Sequence, residues 1–170
     1  MRKPADLDKQ GVLELLRDAA LNWLTHDGLW FRAVEDEFGL DVAVKLDKIA
    51  WEKFTVAEAR RIKKRLGLAD YGGLEALAEA LQFRLYSHIN NQAILELTSK
   101  RCVFEMRTCR VQEARRRQGL PDFPCREVGL VEYSGFARAI DPRIETLCLF
   151  CPPDPHPAES WCRWEFRLLE

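Results

Sequence analysis

The sequence lacks an apolar stretch long enough to cross a bilayer, and its first ten residues lack the apolar run and small-residue cleavage site of a secretory signal. These two absences predict a cytoplasmic protein. Neither terminus carries a tail of one charge sign, and 26 basic residues against 27 acidic ones give a formal net charge of -1. We therefore expect neither nucleic acid nor membrane as a partner, since both attract proteins with an excess of positive charge.

The low hydrophobicity that marks a disordered chain is absent as well. Hydrophobic residues make up 47% of the sequence and charged residues 31%, which is typical of a folded protein. A length of 170 residues suffices for one well-filled core and is short for two. We predict a single domain over residues 1–170, with a helical part over residues 1–90 and a cysteine-rich part over residues 91–170.

The spacing of apolar residues predicts that the first part is all helical. Apolar side chains recur at three- and four-residue steps from Leu7 to Phe38, which is typical of one long amphipathic helix. Asp41 is the predicted N-cap of a second helix, and a capping box at Thr55 predicts the start of a third. A fourth helix is predicted over residues 74–85.

The pattern changes after residue 91, where segments of alternating polarity replace the helical period. The predicted elements are strands at residues 94–98 and 102–107, helices at 109–118 and 124–140, and strands at 144–150 and 161–169. Two hairpins in one sheet, with helices segregated to one face, are the simplest packing of that order. We therefore predict an α+β fold in which a helical layer is followed by ββααββ, with a four-stranded antiparallel sheet.

Six cysteines lie in the second part, and in a reducing cytosol they are more typical of thiols or metal ligands than of disulfides. Cys148 and Cys151 have the two-residue gap that lets two thiolates share one ion, and Cys162 follows across a loop that contains His156. Three sulfurs and one imidazole form a tetrahedral site for zinc or another thiophilic metal. The alternative is that Cys148 and Cys162 are small buried hydrophobic residues.

Two further cysteines are predicted in the first turns of helices. The unpaired amides there lower the pKa of a thiol, so Cys109 and Cys125 are predicted as catalytic residues or metal ligands. No histidine lies near either one in the sequence to act as a base. A nucleophile is therefore less favoured than a ligand or an inert thiol.

Asp27 falls on the apolar stripe of the first predicted helix, where an unpaired carboxylate costs on the order of several kcal/mol. The interpretation that we favour pairs it with an arginine or a backbone amide. The functional interpretation makes it a catalytic or ligand-binding wall of a pocket, and Gly28 beside it suggests the close approach of a backbone or ligand. The other predicted ligand-binding residues are Trp23, His26, Trp30, Trp51, Arg110 and Arg116. The two arginines belong to a basic helix that either faces solvent or binds an anion.

Five short patterns stand out along the chain. They are WLTHDGLWFRAVEDEF from Trp23 to Phe38, Cys109 followed by Arg116 and Gly119, the FPC that ends at Cys125, Asp141 with Pro142, and WCRWEF from Trp161 to Phe166. Together they resemble an uncharacterised bacterial and archaeal family of small cytosolic proteins. That resemblance covers most of the chain and implies no activity.

Over residues 105–168 that group is distantly similar to the L-2-amino-thiazoline-4-carboxylic acid hydrolase family. This similarity implies hydrolytic ring opening of a small sulfur heterocycle and gives weight to Cys109, Cys125 and Cys162. The sequence departs from those hydrolases after Cys125, where Arg126, Glu127 and Val128 stand in place of a nearby aspartate. The order of elements is also similar to the 4-vinyl reductase domain and its relatives, which bind small hydrophobic molecules or haem.

Three functional hypotheses follow from these observations. The leading one is a small-molecule-binding domain whose aromatic-lined pocket lies between the N-terminal helices and the sheet, with cysteines at its edge that hold a metal. The second is a cysteine- or metal-dependent hydrolase of a carbon–nitrogen or carbon–sulfur bond in a small heterocycle, with metal-activated water or the Cys109 thiolate as the attacking group. The third is an interaction module that forms a homodimer through the long first helix.

Overall fold

Three helices are followed by two β-hairpins with two further helices between them in a computed structural model that describes residues 3–170. The elements are α1 Lys9–Phe38, α2 Leu40–Leu66, α3 Gly73–Leu81, β1 Gln92–Leu97, β2 Arg101–Met106, α4 Arg110–Arg117, α5 Cys125–Ile140, β3 Ile144–Phe150 and β4 Cys162–Leu168. Short 3₁₀ helices occupy Pro4–Asp6 and Leu85–His88. The predicted α+β class and the ββααββ order are confirmed. None of the described helices is both long and apolar enough to span a membrane.

The helical part differs from its prediction in one respect, because the second and third predicted helices are one continuous helix, α2. Gly39, not Asp41, precedes its first turn. Thr55 lies inside α2 and is fully buried, and its hydroxyl donates to the carbonyl oxygen of Glu132 at 2.9 Å. No helix-breaking residue precedes Thr55, so the helix continues through it. The hydroxyl that the capping-box pattern assigned to a helix end is used in packing against α5 instead.

The sheet has the strand order β1-β2-β4-β3 and is antiparallel throughout. In its centre Phe104 pairs with Trp164 and Met106 pairs with Cys162. Side chains on this face alternate into the core, so Phe104 and Trp164 are both almost completely buried. The register between β3 and β4 shifts between Cys148 and Phe150, and such a bulge re-aims the residues that follow it.

Helix α5 lies between the sheet and α2, and two glycines let it approach both. A Cβ atom at Gly129 would lie 2.6 Å from Cζ2 of Trp164, and one at Gly135 would lie 2.6 Å from Cγ2 of Thr55. Both distances are too short for a real Cβ atom, so α5 can pack this closely against the sheet and against α2 because these two residues have no side chain. Gly28 of α1 differs, because no atom lies within 4 Å of where its Cβ would be. Of the two alternatives predicted at Gly28, the close approach of another backbone is therefore wrong, and that of a ligand stays a prediction.

Candidate functional site

A cavity of about 540 Å³, partly open to solvent, lies between α1, α2, α4, α5 and the centre of the sheet. Its volume falls within the range that is typical of small-molecule sites. A larger groove of about 1630 Å³ runs along α2 and α5, and several of the charges that line it pair with each other, as Lys48 does with Glu127. We place the candidate site in the smaller cavity, because its apolar and aromatic wall can bind a ligand by removing apolar surface from water.

Aromatic rings form much of the cavity wall. The rings that line it are those of Phe31, Trp51, Tyr86, Phe123, Tyr133 and Trp164. Trp51 and Tyr86 are stacked, with ring centroids 6.1 Å apart. Trp23 lies behind them and makes an edge contact with Trp51 at 6.1 Å, so α1 holds the Trp51 ring in place without reaching the cavity itself.

Four carboxylates line the same cavity, and that of Asp36 pairs with Arg32 at 2.5 Å. The other three, those of Asp27, Asp47 and Glu132, come from α1, α2 and α5. Burial raises the pKa of Asp27, and the nearby His26 opposes that rise. Burial raises the pKa of Asp47 to about 7, with repulsion from Asp27 and Glu132 adding to the effect and a hydrogen bond from Trp51 opposing it. The structural partner that we favoured for Asp27 is not found, since within residues 3–170 no arginine or backbone amide contacts its carboxylate. Asp27 faces the cavity instead.

Arg84 is buried beneath the cavity and binds two carboxylates. Its Nε donates to Oε2 of Glu58 at 2.9 Å, and its Nη1 lies 2.7 Å from Oε1 of Glu132. The guanidinium also lies 5.9 Å from the Trp51 ring and 5.5 Å from the Tyr86 ring. Burial acts to lower the pKa of Arg84, but the two glutamates raise it above its usual value, so the side chain stays charged.

Glu132 is the point where this ion pair meets the cavity. Burial raises the pKa of its carboxyl group, and Arg84 opposes that rise. Its Oε1 is buried and has no hydrogen bond of acceptable geometry, although the contact with Arg84 is close. A carboxylate oxygen has two lone pairs, and the contact with Arg84 accounts for one of those on Oε1, so a second acceptor site remains.

Some of the predicted ligand-binding residues line the cavity, and the others lie behind it or outside it. Asp27, Trp51 and Arg110 line the cavity, whereas Trp23 supports it from behind. His26 and Trp30 have exposed side chains on α1, and Trp30 is 68% exposed. Arg116 lies outside the cavity as well. Its guanidinium makes two hydrogen bonds of 2.9 Å to Asp122 and lies 4.2 Å from the Trp161 ring.

Four cysteine thiols meet at one edge of the cavity. Hydrogen bonds with the thiols of Cys125, Cys148 and Cys162, together with burial, raise the pKa of Cys151. The hydrogen bond from Cys151 is also the main cause that lowers the pKa of Cys148. The bulge in β3 brings Cys148 and Cys151 to the same side, although strict alternation along a strand would have separated them.

Two of these sulfur atoms accept hydrogen bonds from other side chains. Nε2 of Gln112 donates to Sγ of Cys125 at 3.0 Å, and Nε1 of Trp164 donates to Sγ of Cys162 at 3.3 Å. All six cysteines are free thiols. The predicted ligand His156 is elsewhere, because its Nδ1 lies 2.9 Å and 2.8 Å from the carbonyl oxygens of Pro157 and Ser160.

A formed metal-binding arrangement is not present in the described part of the chain. Among residues 3–170 no group of three or more histidine, cysteine, aspartate or glutamate side chains is placed to hold an ion as it stands. The thiols of Cys125, Cys148 and Cys162 lie close enough to that of Cys151 to shift its pKa, whereas the predicted ligand His156 lies elsewhere.

Cys109 differs from the prediction in its ionisation. It is the N-cap of α4, and its sulfur lines the cavity. Burial is the largest of the causes that raise its pKa well above the usual value, with the neighbouring Cys125 adding to the rise. Hydrogen bonds from the first turn of α4 act in the expected direction but are outweighed. The thiol is therefore neutral at physiological pH, which makes it a weak nucleophile.

Two known groups of proteins, one sequence family and one solved structure, are similar to most of this chain. A model described as "Family of unknown function (DUF6125)" matches residues 5–168. No curated protein matches the sequence. Among solved structures, the crystal structure of the phenol-responsive sensory domain of the transcription activator PoxR with phenol is similar, with a TM-score of 0.56 and 18% sequence identity. The match covers 83% of this chain and 72% of that one, and at this identity it shows a shared fold.

Proposed function

Because this chain belongs to the DUF6125 family, whose function is unknown, we propose from its own cavity that it is a small-molecule-binding domain. The observation that carries the proposal is a cavity of about 540 Å³ whose wall consists largely of aromatic and apolar side chains with a few polar groups among them. Sites of this composition bind ligands by apolar burial and orient them through the few polar contacts. The fold shared with a phenol-responsive sensory domain supports the proposal.

Filling the cavity should block binding, and Ala114 of α4 is the residue to enlarge because its methyl group lines the cavity. Phenol, benzyl alcohol, benzylamine and benzoate are suitable probes, with binding measured by calorimetry and by the shift in Tm. We expect at least one probe to bind, and Ala114→Phe to weaken it by about tenfold or more, because the added ring takes the place of the ligand. Ala33→Phe, at an exposed position of α1, is the matched control and should leave the affinity unchanged.

Circular dichroism of both variants separates a blocked cavity from a lost fold. If Ala114→Phe does not fold, Ala114→Leu gives a smaller filling of the same space. Unchanged affinity in a folded Ala114→Phe protein would place the ligand elsewhere, and no binding of any probe to the native protein would count against the function itself.

We propose as a second function that the four contacting thiols hold a thiophilic metal ion such as zinc. The observation that favours it is the contact of Cys151 with Cys125, Cys148 and Cys162, which offers four sulfurs in one place. Four cysteines are a common ligand set for structural zinc, and they bind after losing their protons. The N–H groups of Gln112 and Trp164 that point at two of these sulfurs are partners that would also stabilise thiolates.

Elemental analysis of protein purified anaerobically and without an affinity tag tests the second proposal. We expect about one metal ion per chain, and about none in Cys151→Ser, because that change removes the sulfur that contacts the other three. Cys102→Ala is the matched control and should leave the metal content unchanged, since Cys102 is buried opposite Phe166, four residues along β4 from Cys162. A native protein without metal after growth in zinc-supplemented medium would contradict the proposal.

A further inference from the structure

We propose that the cavity binds an organic cation, namely an ammonium group carried on a small aromatic or apolar body. The inference rests on the proposed function, since it names the class of ligand for the same cavity. It stands on three observations, which are two aspartates in the cavity wall without ion pairs, a second lone pair of Glu132 Oε1 without a partner, and stacked aromatic rings beside them.

The carboxylates around the inner end of the cavity outnumber the cations there. Asp27, Asp47 and Glu132 line the space, and Glu58 lies just behind it through its contact with Arg84. Arg84 is the cation that binds Glu58 and Glu132, and within residues 3–170 neither Asp27 nor Asp47 forms an ion pair. A positively charged ligand would supply the partner that these carboxylates lack.

The second observation is the open acceptor. Oε1 of Glu132 is buried and lies 2.7 Å from Nη1 of Arg84, but its second lone pair has no partner within residues 3–170. An ammonium group has three donors and no acceptor, so it can bind Glu132 and one of the two aspartates at the same time. A hydroxyl group has a single donor and a carboxylate has none, so neutral and anionic ligands satisfy this arrangement less well.

The third observation is the aromatic surface. Trp51 and Tyr86 are stacked next to the carboxylates, and both rings already flank the guanidinium of Arg84. Aromatic faces attract cations, most strongly where water is excluded. The surroundings of Arg84 show that this part of the fold stabilises a buried positive charge with rings and carboxylates together.

The arginines that line the cavity do not offset this arrangement. Arg115 binds Glu35 through two hydrogen bonds of 2.7 Å and 3.0 Å, and Arg32 lies 2.8 Å from the same carboxylate. Arg110 and Arg117 lie on α4, whereas the carboxylates come from α1, α2 and α5. No arginine is among the groups that shift the pKa of Asp27 or Asp47. Arg32 and Arg115 are therefore neutralised by Glu35 and Asp36, whereas Asp27 and Asp47 form no ion pair within residues 3–170.

Three probes of similar size and different charge test the inference, and they are benzylamine, benzyl alcohol and benzoate. We expect benzylamine to bind about tenfold more tightly than benzyl alcohol at pH 7.5, with benzoate the weakest, as measured by calorimetry. Asp47→Asn should weaken benzylamine by about tenfold and leave benzyl alcohol unchanged. Asp18→Asn, at an exposed position of α1 outside the cavity, is the matched control and should alter neither.

The outcomes separate the inference from the function on which it rests. If benzyl alcohol or benzoate binds as tightly as benzylamine, the cavity is a ligand site but the preference for a cation is wrong. Equal affinity of benzylamine for the native protein and a folded Asp47→Asn variant would also overturn the inference. If none of the three probes binds, the proposed function fails and the inference fails with it.

Discussion

Arg84→Met is expected to lower the free energy of unfolding by about 3–5 kcal/mol, because it leaves Glu58 and Glu132 buried without their cation. The arginine is only 2% exposed, so water cannot replace it. The flexible methionine keeps most of the volume and the contact with the surrounding rings, which isolates the loss of charge. Urea denaturation followed by circular dichroism at pH 7.5 measures the effect.

An exposed ion pair provides the matched control for Arg84. Arg126 pairs with Asp154 at 2.8 Å, and its side chain is 48% exposed, so Arg126→Met should change the free energy of unfolding by less than about 1 kcal/mol. Adding Glu132→Gln to Arg84→Met should recover part of the stability, because it removes one of the stranded carboxylates. Equal effects of Arg84→Met and Arg126→Met would show that the buried arginine is not needed by its two glutamates.

Asp47→Asn is expected to stabilise the protein by about 2–4 kcal/mol at pH 8, because it removes a buried charge. The pKa of Asp47 is about 7 in the folded protein, against an ordinary value of 3.8. A difference of about three pKa units corresponds to roughly 4 kcal/mol. The native protein retains a proton on Asp47 that the unfolded chain gives up, so its stability falls as the pH rises from about 4 to about 7.

The pH dependence of Asp47→Asn is the sharper measurement. The gain in stability should be close to zero near pH 4 and should reach its full size above pH 7, as seen in urea denaturation at each pH. Asp27 and Glu132 raise the pKa of Asp47, and Trp51 lowers it, so changes to these residues would shift the pH range over which the stability changes. Asp18→Asn should show no such dependence. A constant gain at every pH, or a loss of stability, would contradict burial of the Asp47 charge.

The same residue thus has opposite effects on stability and on the proposed binding. Asp47 destabilises the empty protein, and it is one of the carboxylates to which we assign the ligand's ammonium group. Binding sites often retain groups that reduce stability because their interactions are completed by the ligand. An asparagine at this position should therefore give a more stable protein that binds benzylamine less well.

Local patterns were sufficient to predict the order of the elements. The alternation of polarity in β4 reflects its place in the sheet, where Trp164 and Phe166 face the core. Thr55 shows where local pattern fails, because its hydroxyl bonds to α5 and not to its own helix. The single domain, the cytoplasmic location, the hydrolase activity and the homodimer stay predictions. Light scattering would test the homodimer.

The site was harder to predict than the fold, since it depends on which charged residues are buried. Asp47 lies in a stretch where charged residues are frequent, and there it resembles the solvent-facing side of a helix. Arg84 and Glu132 stand among apolar residues, but nothing in their spacing shows that they pair with each other. Only the position of α5 between α2 and the sheet buries them. Asp27 gave a local signal, because it interrupts an apolar stripe. The gap between Cys148 and Cys151 gave another, whereas Cys125 joins them through contacts that no spacing in the sequence reveals.

The two glycines of α5 determine which sides of the cavity can vary. Trp164 lies against Gly129 and Thr55 lies against Gly135, so this helix cannot rotate or take larger side chains at those positions without moving its neighbours. The side of the cavity that α5 forms is therefore constrained. Related chains that adapt this cavity to molecules of other sizes should therefore differ mainly along α1 and α4, where Gly28 and Ala114 leave room for larger side chains.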